Sequence, residues 1–218
     1  MTPGVQLLVP IKPLHLAKTR LRGVSEPEER HSELVAALAS DTVVAAISAT
    51  HAVEVVVVTS DAELAARFRG RGVEVLDDSP VAGLNAALRY GDQVLRRRNP
   101  EARVGALQAD LPALRPADLD TAISEAGTDR AFCSDGQGTG TTLLLARRGS
   151  ALRPEFGPES ARAHRNGGAR ELRAPLESLR RDVDLPADLE AAAALGLGAH
   201  TSTHVREAES PESVRGPV

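Results

Sequence analysis

The run Val53-Glu54-Val55-Val56-Val57-Val58-Thr59 constrains this chain more than any other stretch. It is β-branched, almost continuously apolar and closed by Ser60-Asp61, the pattern of a central strand in a parallel sheet, covered on both faces. Such a strand needs helices above and below it, and the flanking sequence supplies them. Asp61 is placed to cap a short helix to about Phe68, Gly70 to Gly72 turns the chain, and Val73 to Leu76 is the next strand. Upstream, Val5 to Pro10 reads as a short strand. Pro27 to Ser48 reads as a helix, with Leu34, Leu38 and Asp41 spaced along its faces and Glu28 and Glu29 early enough to favour the helix dipole. Downstream, a helix runs on through Leu88 to Arg98, Val104 to Ala109 is a strand, and a helix from Pro116 to Ala126 carries proline in its first turn. Arg130 to Ser134 and Thr142 to Ala146 are two further strands, and an alanine-rich helix follows Pro186. Strand alternates with helix, which predicts an α/β fold with a parallel sheet and helices on both faces.

At 218 residues and 42% hydrophobic content the chain suits one α/β domain with a sizeable core. We expect a single domain over residues 1–203. The polar run from about His200 and the Glu, Ser and Pro content beyond it read as a flexible C-terminal tail over residues 204–218. A net charge of -4, three Phe, one Tyr and no Trp offer neither a polyanion-binding surface nor a platform for stacking bases, so nucleic acid is not an expected partner. The single Cys133 has no internal disulfide partner. No run approaches the roughly 18 apolar residues of a membrane span, and the N-terminus lacks a signal-peptide pattern. The expected location is the cytoplasm, with no membrane contact.

Candidate chemistry gathers where strands end. The strand from Val104 empties into Asp110-Leu111-Pro112, and ligands of open α/β sheets sit outside the carboxyl ends of the strands. Asp110 there is either a hard oxygen ligand for a divalent metal or an acidic turn residue bonding its own backbone. The first strand opens into a loop with Lys12, Lys18, Arg20 and Arg22. Of 26 basic residues only Lys12 and Lys18 are lysines. That loop is a cradle for a polyphosphate or a solvated basic loop; it lacks the P-loop pattern. Gly83 and Asn85 sit at a helix start, where they can read a nucleobase edge or ribose, or merely begin the helix. The glycine-rich stretch from Asp135 to Thr142 leads into a strand instead of a helix, so it is no dinucleotide fingerprint; it frames a pocket or connects a hairpin. Gly157 as N-cap, Pro158 as first helical residue and Ser160 in the first turn make a helix start able to hold an anion or only water. Asp182 and Asp184 alternate onto one face of an extended segment. Either can supply a second metal carboxylate, and Asp184 can alternatively cap the helix after it.

Val9-Pro10-Ile11-Lys12 with Ala17-Lys18-Thr19-Arg20-Leu21, Gly83-Leu84-Asn85, Ala109-Asp110-Leu111-Pro112, Phe156-Gly157-Pro158-Glu159-Ser160 and Asp182-Val183-Asp184-Leu185-Pro186 together closely resemble the guanylyltransferases of coenzyme F-420 biosynthesis. Those enzymes act on 2-phospho-L-lactate or phosphoenolpyruvate, and the resemblance runs from about Val5 to Thr203. It implies a three-layer Rossmann-like nucleotidyltransferase of the glycosyltransferase-A type, with a mostly parallel mixed sheet. It also implies transfer of GMP from GTP to a phosphorylated three-carbon acid. Carried over residue by residue, it places acceptor contacts at Thr142, Gly157 and Ser160, and Mg2+ at Asp110 and at Asp182 or Asp184. Leu185 stands where many relatives have Thr, which leaves both aspartates in play.

The expected chemistry needs no general base. A phosphate monoester has its second pKa near 6, so the attacking oxygen is already largely ionised at neutral pH. What is required is charge neutralisation and alignment, which Mg2+, Lys12, Lys18 and Arg20 are expected to supply. Cytidylyl and molybdopterin nucleotide transfer on the same fold, and a non-catalytic nucleotide-binding regulator, are the competing readings. The reactivity of an enol pyrophosphate product further suggests hand-over to the next enzyme of the pathway.

Overall fold

The valine run forms the strand its composition demands. It is buried from Val55 to Val58, while Val53 at its outer end is exposed. The computed structural model describes residues 4–14, 28–77 and 83–209. Its strands are β1 (Val5–Pro10), β2 (Ala52–Val58), β3 (Glu74–Leu76), β4 (Val104–Leu107), β5 (Ala131–Ser134), β6 (Thr141–Leu145) and β7 (Arg170–Glu171). They make one seven-stranded sheet in the order β3-β2-β1-β4-β6-β5-β7. β1 pairs in parallel with β2 and β4, β3 continues that direction, and β7 is parallel to β5. Only β6 runs against its neighbours β4 and β5, because the glycine-rich loop joins β5 to β6 as a hairpin. The sheet is thus mixed and mostly parallel, as expected.

Helices cover both faces. On one side α1 (Glu28–Ser48), α2 (Ala62–Arg69) and α4 (Pro116–Ala126) bury Val35, Ala39, Leu64, Phe68, Leu119 and Ile123 against the sheet. On the other, α3 (Leu84–Arg98) and α5 (Ser160–Asn166) bury Leu88, Leu95 and Ala161. Alternation along the strands feeds both cores: Leu7 and Val57 face the first, Leu8 and Val56 the second. Asp61 caps α2 as expected, its side chain accepting the Glu63 and Leu64 N–H groups.

Three element ends differ from the sequence expectation. The helix at Phe156-Gly157-Pro158 starts two residues late. Its N-cap is Glu159 in the left-handed region, not Gly157, and Gly157 itself takes φ 140, a conformation open to glycine. Ser160 and Ala161 N–H donate to the Gly157 and Thr139 carbonyls at 3.1 and 3.0 Å, so these first amides are already engaged. Asp184 likewise lies one residue before the cap: Leu185 is the N-cap of α6 (Pro186–Leu195), and the Asp188 carboxylate accepts from the Asp184 and Leu185 N–H groups.

The third difference is toward the C-terminus. Ala199–Glu209 is a helix, α7, packed on α1, so a tail beginning at residue 204 would cut it in half. Its cap comes from far away in sequence. The buried Asp41 carboxylate of α1 accepts the N–H of His200 at 3.0 Å and of Thr201 at 2.8 Å, and the His200 ring meets it at 2.9 Å. Residues 210–218 lie outside the described residues.

Candidate active site

The order of the sheet decides where a ligand can sit. From β1 the chain builds outward to β2 and β3 on one side and to β4 on the other, so the carboxyl ends of β1 and β4 part at a switch point. A cavity of about 660 Å3 opens there, in the range of small-molecule sites. It is lined from β1 by Pro10, Ile11 and Lys12, and from β4 by Gln108, Ala109 and Asp110. The β5–β6 hairpin contributes Asp135, Gln137, Thr139, Gly140 and Thr141, and the start of α5 contributes Phe156, Gly157 and Ser160. Asp182, Asp184 and Asp188 close it from the segment entering α6.

Asp110 is held from both sides. Thr42 of α1 accepts the Leu111 N–H on its Oγ1 at 3.0 Å, and the same hydroxyl lies 3.1 Å from the Ala109 carbonyl. The Val183 N–H donates to the Asp110 carbonyl at 3.0 Å. Val183 is fully buried against Leu34, Leu38 and Ala113, so its two neighbours turn the other way. That one hydrogen bond therefore joins the segment bearing Asp182 and Asp184 to the strand end bearing Asp110, across about 70 residues of sequence. Asp110 and Asp182 are half-buried and Asp184 is exposed. Among the described residues no group of three or more His, Cys, Asp or Glu is placed to hold a metal. Asp110, Asp182 and Asp184 line the same cavity, and carboxylates are the hard oxygen donors that a divalent cation takes alongside waters and substrate phosphates.

The other expected site residues fall as follows. Lys12 is exposed and lines the cavity. Lys18 and Arg20 lie outside the described residues. Gly83, with φ 92, is the N-cap of α3, and the adjacent Leu84 lines the cavity. Asn85 is engaged by the backbone of Phe156: its amide nitrogen donates to the carbonyl at 2.8 Å, and its oxygen accepts the N–H at 2.8 Å. The side chain ties the segment before Gly157 to the start of α3. Gly157 and Ser160 line the cavity. Thr142 does not; its side chain is buried beside the Cys133 thiol, whose pKa burial pushes up to about 11, and its carbonyl accepts the Gln108 N–H at 2.9 Å. On a strand neighbouring side chains point oppositely, and it is Thr141 that faces the cavity.

Sequence reasoning missed Thr141, Thr42 and Asp135. Asp135 accepts the Thr139 and Gly140 N–H groups at 3.0 and 2.8 Å and folds the hairpin over the cavity. A Cβ on Gly140 would run into the Asp135 carboxylate that the Thr139 and Gly140 amides hold in place. The Asp-x-x-x-Thr-Gly spacing was a readable turn signal; nothing local marked the two threonines.

The chain matches the family model described as "Guanylyl transferase CofC like" over residues 5–208. A phosphoenolpyruvate guanylyltransferase of Thermomonospora curvata is 48% identical over 198 residues, 90% of this chain and 86% of that one. In structure, a nucleotidyl transferase from Methanothermobacter superposes with a TM-score of 0.55 at 18% identity, covering 88% of this chain and 97% of that one. Rv0371c of Mycobacterium tuberculosis, solved in complex with manganese, gives a TM-score of 0.52 at 19% identity over 88% of this chain and 98% of that one. At such identities the two structures speak for the nucleotidyltransferase fold alone. The family match and the 48% identity speak for more: the chain belongs to the CofC-like guanylyl transferases.

Proposed function

We propose that this enzyme transfers GMP from GTP to phosphoenolpyruvate, giving enolpyruvoyl-2-diphospho-5'-guanosine and pyrophosphate in coenzyme F-420 biosynthesis. The observation that carries the reading is the joining of Asp110 to the Asp182-Val183-Asp184 segment through the 3.0 Å Val183–Asp110 bond, in a cavity at the sheet's switch point. The name of the Thermomonospora relative favours phosphoenolpyruvate over 2-phospho-L-lactate as acceptor.

A phosphate oxygen of the acceptor attacks the α-phosphorus of GTP. A P–O bond forms, the bond to the bridging α,β oxygen breaks, and pyrophosphate leaves with that oxygen's electron pair. The attacking phosphate is already ionised, so no side chain has to take a proton. Asp110 and Asp182, with Asp184 at the rim, are the residues that would hold Mg2+. The ion supplies charge neutralisation on the phosphates when bound. Lys12 offers positive charge from the end of β1, and Lys18 and Arg20 are assigned to the triphosphate with it. The α3 start at Gly83 is assigned to the nucleotide, with Asn85 acting through the Phe156 segment it holds. Gly157 is assigned to the acceptor, with Ser160 acting through the Thr141 hydroxyl to which it donates and the Thr141-Thr142 strand beneath them. Among the described residues the lining carries six carboxylates and the single cation Lys12, a balance that favours a bound metal when two polyanions meet there.

The test is pyrophosphate release with magnesium, offering GTP, CTP, ATP and UTP against each of the two acids. Release requiring GTP and phosphoenolpyruvate is the expected result. Release with CTP, with no acid, or only with 2-phospho-L-lactate would overturn the nucleotide, the reaction or the acceptor respectively; no release with any pair would leave the regulator reading. We place the reaction in the cytoplasm, where a buried, unpaired Cys133 is at home. The enol ester product is reactive, which favours direct hand-over to the next enzyme; equal use of freely diffusing product would exclude it.

A further inference from the structure

We propose that His164 is a positioning residue that fixes the Thr141 hydroxyl as a hydrogen-bond donor to an anionic oxygen of the acceptor substrate. This rests on the acceptor reading given above. His164 is fully buried in α5, its ring packed edge-on to Phe156 at 5.0 Å and tilted on Phe132 at 6.1 Å, with a hydrogen bond at each nitrogen. Its Nε2 faces the Glu155 backbone N–H at 3.0 Å. A backbone amide can only donate, so Nε2 must accept and carries no hydrogen. In the neutral ring the hydrogen is then on Nδ1, which lies 2.9 Å from Thr141 Oγ1 and must donate to it. Burial next to Arg130 supports neutrality, holding the ring's pKa at about 4.

The consequence falls on Thr141. Its oxygen accepts from His164 and, at 3.2 Å, from the Ser160 hydroxyl. With both lone pairs taken, the only capacity left to it is its own hydrogen, and Thr141 lines the cavity. A hydroxyl restricted to donating favours a phosphate or carboxylate oxygen over any donor group. The Ser160 and Ala161 amides at the start of α5 are engaged internally, and this hydroxyl, set by a buried ring, is an oriented donor on the same wall.

The test is a pair of substitutions that split the ring's two roles. His164→Asn keeps a donor near the Nδ1 position facing Thr141, and His164→Gln keeps an acceptor near the Nε2 position facing Glu155. With GTP saturating, His164→Gln and Thr141→Val should raise the KM for phosphoenolpyruvate about tenfold, the cost of one misdirected hydrogen bond to a charged group. The KM for GTP should stay within about twofold, and His164→Asn and Thr141→Ser should recover most of the loss. Equal KM values for phosphoenolpyruvate in the Asn and Gln variants, or parallel rises for both substrates, would overturn the proposal. Imidazole nitrogen NMR of the wild-type enzyme reads the tautomer without any substrate: a hydrogen on Nε2 would overturn it even if the variants failed to fold. A wild-type enzyme inert with phosphoenolpyruvate but showing the Nδ1 hydrogen would instead sink the acceptor reading and leave the orientation of Thr141 standing.

Discussion

Asp110 and His164 show how unevenly single residues announce themselves. A carboxylate at the end of an apolar run and before Leu-Pro is visible in the sequence, and the cavity wall is where it lies. Asp110→Asn keeps the shape but removes the charge, so turnover should fall at least about a hundredfold with little change in thermal midpoint; the assay is pyrophosphate release at saturating GTP and magnesium. His164 carries no such signal, since one histidine in a short helix gains meaning only from Thr141 and Glu155 around it. It also makes a stability prediction with a definite sign. Burial first, and Arg130 second, hold its folded pKa at about 4 against an ordinary value of 6.5. The unfolded chain therefore takes up this proton first as pH falls. The stabilising contribution is complete above about pH 6.5 and is lost on the way down to about pH 4. At 1.36 kcal/mol per pKa unit it amounts to roughly 3 kcal/mol. The stability difference between wild type and His164→Asn, measured by urea unfolding, should shrink by about that much from pH 7 to pH 4. A difference independent of pH would mean that the ring takes up its proton in the fold as readily as in the unfolded chain.

At the scale of elements, the reading succeeded where the signal is local and missed where a partner is remote. The Asp61 cap, the proline-led α4 and the strands on either side of them come from neighbouring residues, and each stands where expected. α7 does not: Ala-His-Thr-Ser-Thr-His has weak apolar periodicity, and its first turn is completed by Asp41, some 160 residues earlier. Asp41→Ala removes three hydrogen-bond acceptances at once and leaves buried donors behind. It should cost about 2–4 kcal/mol in urea unfolding, and ending the chain after Thr203 should destabilise it relative to ending after Glu209. Truncation at 203 without loss would restore the tail reading. The start of α5 was misplaced for a related reason. Gly157 and Pro158 look like a cap and first turn, but Ala161 N–H is drawn to Thr139 of the β5–β6 hairpin, which shifts the first helical turn onward.

For the molecule as a whole, the sheet is the frame on which the site hangs, and its centre is tightly built. Gly105 in β4 sits between β1 and β6, and a Cβ there would lie 2.9 Å from both Leu145 and Leu7 methyl groups and 3.2 Å from Val5. Gly105→Ala should cost about 1–3 kcal/mol by overpacking, and, being on the strand that delivers Asp110, should lower turnover as well. An unchanged urea midpoint would show that the core has slack at this place. Among the described residues no helix is long and apolar enough to cross a membrane. The sequence alone determined the α/β class, the succession of helices and strands and the strand-end position of Asp110, because hydrophobic period, caps and turn residues act within a few positions along the chain. It also carried the family in motifs spread from Val9 to Pro186. Only the tertiary structure decided that Thr141 faces the cavity and Thr142 does not, that Asn85 is occupied by Phe156, that α7 is a helix capped from α1, and that a buried imidazole orients a hydroxyl of the site. Each of these depends on a hydrogen bond between groups remote in sequence, whose register no local pattern specifies until the sheet and its helices have packed.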